Sequence, residues 1–317
     1  MTPPTLLVAT PGGHMDELYE FAELLGIDRD DRIWVTARTV QTEHLLARET
    51  VEWVPPVSSR QAGRAARSLP LALSLLRRLR PQTVVSTGAA LSLPYLLAAR
   101  AVGAEVHYVE SATRLDGPSL TGRILAAVPG VRLYHQAFRT PRPGWRPVGS
   151  VFDGFAPGPA RPASSPRGLL VLGSERFPFP RALEVATPVI HSDLRWTIQH
   201  GHTPVDAADS RCHQWMTPRE LAELAEQSGV VATHAGVGSV LMALRAGRHP
   251  LVLPRLGSLG EHADDHQLEL ARELERRNLV TVAMPGADLA ALVDEAARRS
   301  TRRQHVALGP LASGPTR

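Results

Sequence analysis

Residues 230–270 of this chain are VVATHAGVGSVLMALRAGRHPLVLPRLGSLGEHADDHQLEL, and this stretch determines the predicted fold. It begins with a β-branched run at 230–233, which predicts a buried strand. A turn of small residues at 235–239 leads into a helical pattern that Gly247 ends. The next strand is predicted at 249–254. A strand, turn, helix and strand in this order are the building block of a parallel sheet.

The glycine turn has a chemical consequence. Gly236 and Gly238 lack Cβ atoms, so phosphate groups of a ligand could approach the backbone closely. The free N–H groups at the start of the following helix would then face that ligand with partial positive charge. A plain tight turn has the same spacing, so the two interpretations remain equally open on the pattern alone.

Composition limits the class of protein. The 317 residues suffice for two domains, and 43% hydrophobic with 21% charged residues is typical of a globular protein. All 35 basic residues are Arg, and the net charge is a mild +4. Such a spread charge favours an anionic substrate or an anionic lipid surface and argues against nucleic acid, which needs clustered positive charge.

Cys212 is the only cysteine, so an intrachain disulfide is excluded and a reducing compartment is favoured. The first residues show no signal-peptide pattern, and no apolar run reaches the roughly 18 residues of a membrane span. The expected location is therefore the cytoplasm, with attachment to the inner face of the cell membrane left open.

Strand and helix patterns alternate along both halves of the chain, which predicts an α/β fold. The expected arrangement is an amino-terminal domain at 1–154, a Pro-rich linker at 155–167, a second domain at 168–300 and a flexible tail at 301–317. Ligands of such sheets bind beyond the carboxyl ends of the strands. We therefore expect two Rossmann-like domains facing each other across a cleft, with the glycine turns at 11–14 and 235–239 beside it.

Several motifs resemble a known pair of proteins. PGGHMDEL (11–18) and VHYVESATRLDGPSLTGRIL (106–125) resemble the acceptor-side subunit of bacterial capsule and exopolysaccharide glycosyltransferases. LLVLGSERFPFPRAL (169–183), THAGVGSVLMALRAGRHPLVLPR (233–255) and EHADDHQLELA (261–271) resemble the donor-binding subunit. Both are related to the two-subunit dolichol-linked N-acetylglucosamine transferase. The chain resembles a fusion of the pair over about 5–150 and 168–283, which implies the GT-B fold of glycosyltransferase family 28.

The resemblance implies inverting transfer of a sugar from a nucleotide-diphosphate sugar, without a cofactor or a required metal. The donor is expected to contact the glycine turn, the loop after the first strand of the second half and the 261–267 segment. The implied donor-binding residues are Gly173, Ser174, His234, Ala235, Gly236, Val237, Gly238, Ser239, Glu261, Asp264, Asp265, His266 and Gln267. The alternative for Asp264 to Gln267 is a capped, solvated helix start.

The transfer requires a group that deprotonates the acceptor hydroxyl. His14 is the first candidate because an imidazole titrates near neutrality, and Glu110, at the end of its predicted strand, is the rival. The alternatives are a His14 bonded to backbone and a Glu110 paired with Arg114. Asp16 and Glu17 are expected to charge the first turn of their helix. Acceptor contacts are expected at Gly12, Gly13, Ser111 and Arg114.

One position departs from the family pattern. Three residues after Ser239, where the family commonly has an acidic residue that binds the ribose hydroxyls, this chain has Met242. A thioether cannot accept those hydrogen bonds in the same way. Either another residue, with Glu261 as candidate, serves the ribose, or the donor carries a deoxyribose, or Met242 is a packing substitution. A UDP-sugar is favoured, and a dTDP-sugar remains open.

The segment from Arg60 to Arg80 has an apolar stripe flanked by arginines. The pattern is typical of a helix lying on anionic lipid, and equally of a core-facing helix with a solvated basic rim. The expected acceptor is a polyprenyl-linked glycan intermediate or a metabolite. The alternatives are a UDP-N-acetylglucosamine 2-epimerase-like enzyme, which needs no acceptor, and a non-catalytic nucleotide-sugar-binding partner subunit.

Overall fold

The computed structural model describes residues 4–57, 67–136, 138–161, 165–187, 194–206, 209, 211–306, 308 and 311. The chain forms two compact units. The first contains the described residues up to Val151 together with those from Val306 onward, and the second extends from Phe152 to His305.

The first unit contains a seven-stranded parallel sheet. Its strands are β1 (Thr5–Val8), β2 (Arg32–Thr36), β3 (Thr50–Trp53), β4 (Thr83–Ser86), β5 (Glu105–Glu110), β6 (Val131–His135) and β7 (Trp145–Pro147). Its helices are α1 (Gly13–Leu24), α2 (Val40–Leu45), α3 (Leu69–Leu79), α4 (Ser92–Ala101) and α5 (Leu120–Ala126). The strand order is β3-β2-β1-β4-β5-β6-β7.

The second unit repeats this plan with a six-stranded parallel sheet. The six strands of this sheet are β9 (Arg167–Val171), β10 (Arg195–Gln199), β11 (Cys212–His213), β12 (Val230–His234), β13 (Leu251–Leu253) and β14 (Thr281–Val282), and the unit also contains the two short strands β8 (Phe155–Pro157) and β15 (Thr301–Arg303). Its helices are α6 (Pro218–Gln227), α7 (Val237–Arg245), α8 (His266–Arg276) and α9 (Leu289–Arg298). The sheet order is β11-β10-β9-β12-β13-β14, and β8 pairs separately with β15.

Both sheets reverse their strand order at one point, between β1 and β4 in the first unit and between β9 and β12 in the second. In a doubly wound sheet the crevice at the carboxyl ends of these two strands is the usual ligand site. Every residue of β12 is buried, as expected for a parallel strand covered by helices on both faces. The loops that follow β9 and β12 are therefore brought together by the topology alone.

Local signals predicted several helix starts well. The sequence Thr217-Pro218-Arg219-Glu220 is typical of a helix start, and Thr217 and Glu220 form a capping box ahead of α6, with Pro218 in its first turn. Helix α7 begins at Val237 with Gly236 as its N-cap, which confirms the turn and helix predicted from the opening stretch.

Two segments differ from the sequence prediction. Residues 155–157, placed in the linker, form β8, and residues 301–303, placed in the flexible tail, form β15, its antiparallel partner. Gln304 extends the contact by donating a hydrogen bond to the backbone oxygen of Asp153, 2.7 Å away. Local composition could not reveal this pairing because its two strands are far apart in the sequence.

The apolar stripe predicted between Arg60 and Arg80 faces the core of the first unit. Residues 58–66 lie outside the described residues, but on α3 the side chains of Ala72, Leu75 and Leu76 are buried in the main apolar cluster. The burial of these side chains agrees with the core-facing interpretation of the stripe, and a membrane contact through the flanking arginines stays a prediction. Among the described residues, no helix combines the length and apolarity needed to cross a membrane.

Candidate functional site

The carboxyl end of β12 provides the best-defined candidate site in the second unit. His234 ends the strand, and α7 begins three residues later. No side chain caps α7. The N–H groups of its first turn lack intrahelical partners because of helix geometry, so they are available to an anion.

The imidazole of His234 lies against the backbone of two glycines from neighbouring loops. A Cβ atom on Gly236 would be 2.2 Å from Cε1 of His234, and a Cβ atom on Gly173 would be 2.4 Å from its Nε2. Gly173 also has a φ of 75°, which other residues rarely adopt. The Gly173 position therefore requires glycine, a side chain on Gly236 would displace the imidazole, and the ring joins the loops after β9 and β12.

His234 is neutral in the folded chain. Burial and the nearby charge of Arg255 lower the pKa of His234 to about 3, although the side chain of Gln267 opposes the shift. Its Nε2 is 3.1 Å from the hydroxyl of Ser239 in the first turn of α7. The imidazole of His234 can orient the Ser239 hydroxyl, and the imidazole itself stays neutral near neutral pH.

Gln199 fixes the loop after β9. Its side-chain amide accepts a hydrogen bond from the N–H of Gly173 at 3.0 Å and donates one to the carbonyl of the same residue at 3.1 Å. Ser174 follows in an exposed position. The structure thus brings the predicted residues Gly173 and His234 together, and Gln199 is the residue that positions Gly173.

A buried arginine, which the sequence analysis did not identify, lies next to this group. Arg255 is 1% exposed, and it donates to the backbone oxygens of Leu172 at 2.9 Å and Phe177 at 2.6 Å. Its guanidinium lies 4.6 Å from the ring of Phe179. Because Arg255 depresses the pKa of His234, its charge acts directly on the candidate anion site. The sequence did contain a signal for this residue, because Arg255 directly follows the strand predicted at 249–254 and ends the family-like motif at 233–255.

The proposed ribose contact of Glu261 is not supported by its surroundings. Its two carboxylate oxygens accept hydrogen bonds from Arg181 at 2.9 and 2.8 Å, and one of them also accepts from the N–H of Leu256 at 3.0 Å. The side chain is 6% exposed. We therefore correct its role: Glu261 organises the loop after β13 and is not a free acceptor for a ligand.

The predicted residues from Asp264 to Gln267 divide into two groups. Gln267 is buried and accepts a hydrogen bond from the N–H of Arg255, so it belongs to the group around His234. Asp265 accepts from the N–H of Gly257 at 2.8 Å and shapes the loop. Asp264 and His266 contact each other in a more exposed position. Helix α8 has no side-chain cap, so the capped-helix alternative does not describe these residues.

Met242 packs as a core residue. It is half-buried against the apolar cluster formed by Leu169, Val171, Ala225, Val231 and Ala243. This position favours the packing interpretation of the departure from the family pattern.

An exposed aromatic residue near the same edge was also missed by the sequence analysis. Trp215 lies in the loop after β11, and 52% of its surface is exposed. Its ring meets that of His202, from the loop after β10, at 5.2 Å in an edge-on arrangement. A large exposed ring beyond the carboxyl ends of the strands is suited to stacking on a nucleobase.

In the first unit the loop after β1 leads into His14 on α1. Gly12 has a φ of 102°, and its N–H donates to the side chain of Gln41 at 2.6 Å. Gly13 is exposed in the first position of the helix. His14 is 36% exposed, and its buried Nδ1 lies 3.8 Å from Oε2 of Glu17. Because Nδ1 is buried, the exposed surface of the His14 side chain comes from its other atoms.

Glu17 does not act as the exposed helix-start charge predicted from the sequence. It is 1% exposed, and its Oε1 accepts hydrogen bonds from the N–H of Ala112 at 2.6 Å and from Gln136 at 2.7 Å. Burial raises the pKa of Glu17 to about 7, and the neighbouring Glu110 adds to the rise, while the hydrogen bonds oppose it. Asp16 instead accepts from Gln41.

Glu110, predicted as the rival base, has no exposed oxygen to offer. It is 1% exposed. Its carboxylate accepts from the N–H of Ser119 at 2.9 Å and from the hydroxyl of Tyr108 at 3.1 Å. Burial raises the pKa of this carboxyl group. Its contacts with Ser119, the N-cap of α5, indicate a structural role, so the base assignment of Glu110 is corrected.

The acceptor residues predicted after β5 lie beside Glu17. Ser111 is 7% exposed, its hydroxyl is 3.2 Å from that of Thr113, and it also interacts with the Glu17 carboxyl group. Arg114 is half-buried, and its N–H donates to the carbonyl of Ser111. The structure therefore gathers His14, Glu17 and Ser111 at the carboxyl edge of the first sheet.

Comparison with known proteins supports the fold. The chain is 18% identical to MurG from Acinetobacter baumannii, with a TM-score of 0.57 over 92% of this chain and 90% of that one. The UDP complex of MnaA from S. aureus gives 12% identity and a TM-score of 0.58 over 93% and 88% of the two chains. SsfS6 from Streptomyces sp. SF2575, complexed with thymidine diphosphate, gives 16% and 0.55 over 92% and 90%. With its two parallel-sheet units, the chain has the GT-B fold.

One curated sequence relative is the UDP-N-acetylglucosamine transferase subunit ALG13 from Yarrowia lipolytica. It is 41% identical over 64 residues, which are 20% of this chain and 31% of that protein. The match thus spans about a third of the relative's length. No family model matches the chain.

The contact between Gly236 and His234 can be measured as a coupling. Gly236→Ala should destabilise the second unit by about 1–3 kcal/mol, because the new methyl group displaces the imidazole. In a His234→Ala background the same change should cost at least about 1 kcal/mol less. Denaturant unfolding of wild type, Gly236→Ala, His234→Ala and the double variant gives the coupling free energy. If Gly236→Ala lowers the free energy of unfolding equally in both backgrounds, the contact is contradicted.

Glu17 should make stability depend on pH. The folded chain holds the Glu17 proton more tightly than the unfolded chain, so its contribution is complete below pH 4.5 and is lost as the pH rises through about 7. Glu17→Gln stays uncharged and should lack this loss, which is on the order of 3 kcal/mol at most. Unfolding at pH 5 and pH 8 tests this, with the exposed Glu43→Gln as control. The same pH slope in wild type and Glu17→Gln would refute it.

Proposed function

We propose that this chain is a glycosyltransferase that moves a sugar from a nucleoside-diphosphate sugar to an acceptor hydroxyl with inversion at the anomeric carbon. The observation that supports this most strongly is the uncapped start of α7 beside a neutral, buried His234. It lies where the strand order of the second sheet reverses. The sequence resemblance to donor-binding glycosyltransferase subunits agrees with this assignment.

The donor diphosphate would bind the N–H groups of Val237, Gly238 and Ser239. These amides and the helix dipole stabilise negative charge, and the charge increases on the diphosphate as the sugar leaves. The buried charge of Arg255 adds positive potential in a region of low dielectric, where its effect is larger than in water. These groups together would stabilise the leaving group without a metal ion.

His14 would act as the general base. The acceptor oxygen forms a bond to the anomeric carbon while the bond from that carbon to the diphosphate oxygen breaks. The acceptor proton passes to His14, and the nucleoside diphosphate leaves with the electron pair. The Glu17 carboxyl group, 3.8 Å from Nδ1, would stabilise the imidazolium that forms.

A uridine donor is favoured over a thymidine donor because the curated sequence relative is a UDP-N-acetylglucosamine transferase subunit. Met242 provides no hydrogen-bond acceptor for a ribose, and Glu261 is engaged with Arg181, so the ribose hydroxyls depend on other groups. Trp215 is our candidate for stacking on the base, which would favour either pyrimidine equally. Of the two nucleotide complexes with similar folds, one contains UDP and the other thymidine diphosphate.

The acceptor would contact Gly12, Gly13, Ser111 and Arg114. A polyprenyl-linked glycan intermediate at the inner face of the cell membrane, or a metabolite, fits the resemblance to the acceptor-side subunits. A second candidate function is 2-epimerisation of UDP-N-acetylglucosamine, because the Glu17 carboxyl group, whose pKa burial raises to about 7, has acid–base properties that such a reaction needs. That reaction would convert the nucleotide sugar without any acceptor, so product analysis in the absence of acceptor separates the two.

Nucleotide binding should depend on Gly238. UDP, dTDP and GDP are titrated calorimetrically, and we expect UDP to bind best. Gly238→Asp should weaken binding at least about 100-fold, equivalent to about 2.8 kcal/mol, because a carboxylate then occupies the place of a phosphate. Gln227→Asp makes the same change in charge on an exposed helix end and should leave affinity unchanged. Unaltered affinity in Gly238→Asp would overturn the assignment of the loop.

His14 should affect turnover and not donor binding. In His14→Ala the donor affinity should match wild type, while release of nucleoside diphosphate with a polyprenyl-diphosphate sugar as acceptor should fall about 100- to 10,000-fold. His44→Ala, an exposed histidine of the same unit, is the matched control. Full turnover in His14→Ala would remove His14 as the base.

A further inference from the structure

Three side chains with metal-binding atoms converge in the segment between β13 and α8. Nδ1 of His262 lies 3.1 Å from Oδ1 of Asp264, and Nδ1 of His266 contacts the same oxygen. All three atoms lie within 4.8 Å of one another. Among the residues that the structure describes, this is the one group of three or more His, Cys, Asp or Glu side chains with such a separation.

The geometry suits a single ion. Zinc binds imidazole nitrogen at about 2.0–2.1 Å and carboxylate oxygen at about 2.0–2.2 Å, so tetrahedral ligand atoms lie roughly 3.3 Å apart. The rings of His262 and His266 meet edge-on, with centroids 4.6 Å apart and planes at 89°. This arrangement lets both Nδ1 atoms point to one place, and only small side-chain rotations would bring all three atoms to bonding distance.

The surroundings hold the cluster in place and leave one side open. The side chains of His262 and His266 are 11% and 21% exposed, whereas Asp264 is 44% exposed. The ring of Phe177 lies 5.8 Å from that of His262, and Asp265 fixes the loop through Gly257. Three protein ligands with solvent on the remaining side leave a coordination position for water.

The ligand types select the class of metal. Two imidazoles and one carboxylate suit zinc and its neighbours in the first transition row, whereas Mg²⁺ and Ca²⁺ prefer oxygen ligands alone. We propose that His262, Asp264 and His266 bind one divalent transition-metal ion, with Zn²⁺ as the leading candidate. The ion would link the loop after β13 to the first residue of α8. The proposal does not rest on the proposed sugar transfer, although Asp264 and His266 are also implied donor-binding residues and the charges of His262 and His266 act on His234.

Zinc binding to the untagged full-length chain tests the proposal. The protein is treated with a chelator, and Zn²⁺ is then titrated against a chromophoric chelator that competes for it. We expect one equivalent to bind, and we expect His262→Ala, Asp264→Asn and His266→Ala each to weaken binding at least about 10-fold. His213→Ala, an exposed histidine in the same unit, should bind as wild type does.

Absorption spectra with Co²⁺ and melting temperatures with Zn²⁺ test the same site independently. Co²⁺ in place of Zn²⁺ should give visible absorption bands of a nitrogen- and oxygen-ligated ion, and these bands should be lost in His262→Ala/His266→Ala. Zn²⁺ should raise the melting temperature of wild type, and an excess of Mg²⁺ should not. Less than one equivalent of Zn²⁺ in wild type, or equal affinity in wild type and the double variant, would overturn the proposal. The unfolding curve of each variant without metal shows whether it is folded.

Discussion

The candidate donor site depends on the close approach of one imidazole to two backbone segments. His234 ends the central strand β12, and its ring occupies the space that side chains on Gly173 and Gly236 would fill. The reversal of strand order between β9 and β12 brings these loops together. Since the ring also meets Ser239, this contact connects the sheet to the first turn of α7. The amides of that turn are positioned by packing before any ligand binds.

The two units use buried charge in opposite ways. In the second unit backbone oxygens hold the guanidinium of Arg255, and burial together with this charge lowers the pKa of His234, so that a neutral ring lies beside a positive charge. In the first unit burial raises the pKa of Glu17, so this carboxyl group is partly protonated near neutral pH beside His14. Because its pKa is near 7, the Glu17 carboxyl group can change its own protonation when His14 gains or loses a proton. These contrasting environments match the separate tasks of stabilising a leaving group and removing a proton.

The sequence predicted what depends on local pattern. The strand–turn–helix stretch, the capping box at Thr217 and the α/β class follow from periodicity and turn chemistry, and the structure contains them. Prediction from the sequence failed where the role of a residue depends on partners that are distant in sequence. Glu17 and Glu261 looked like exposed acids because their partners Ala112, Gln136 and Arg181 are far away in sequence. The pairing of β8 with β15 was missed for the same reason.

The central claim is that the amides at the start of α7 hold a diphosphate. A crystal structure of the chain with its preferred nucleoside diphosphate tests this most directly. We expect phosphate oxygens within about 2.7–3.2 Å of the backbone nitrogens of Gly238 and Ser239, with His234 and both glycine loops in their present positions. A diphosphate bound elsewhere on the chain, with these amides facing only solvent, would contradict the account.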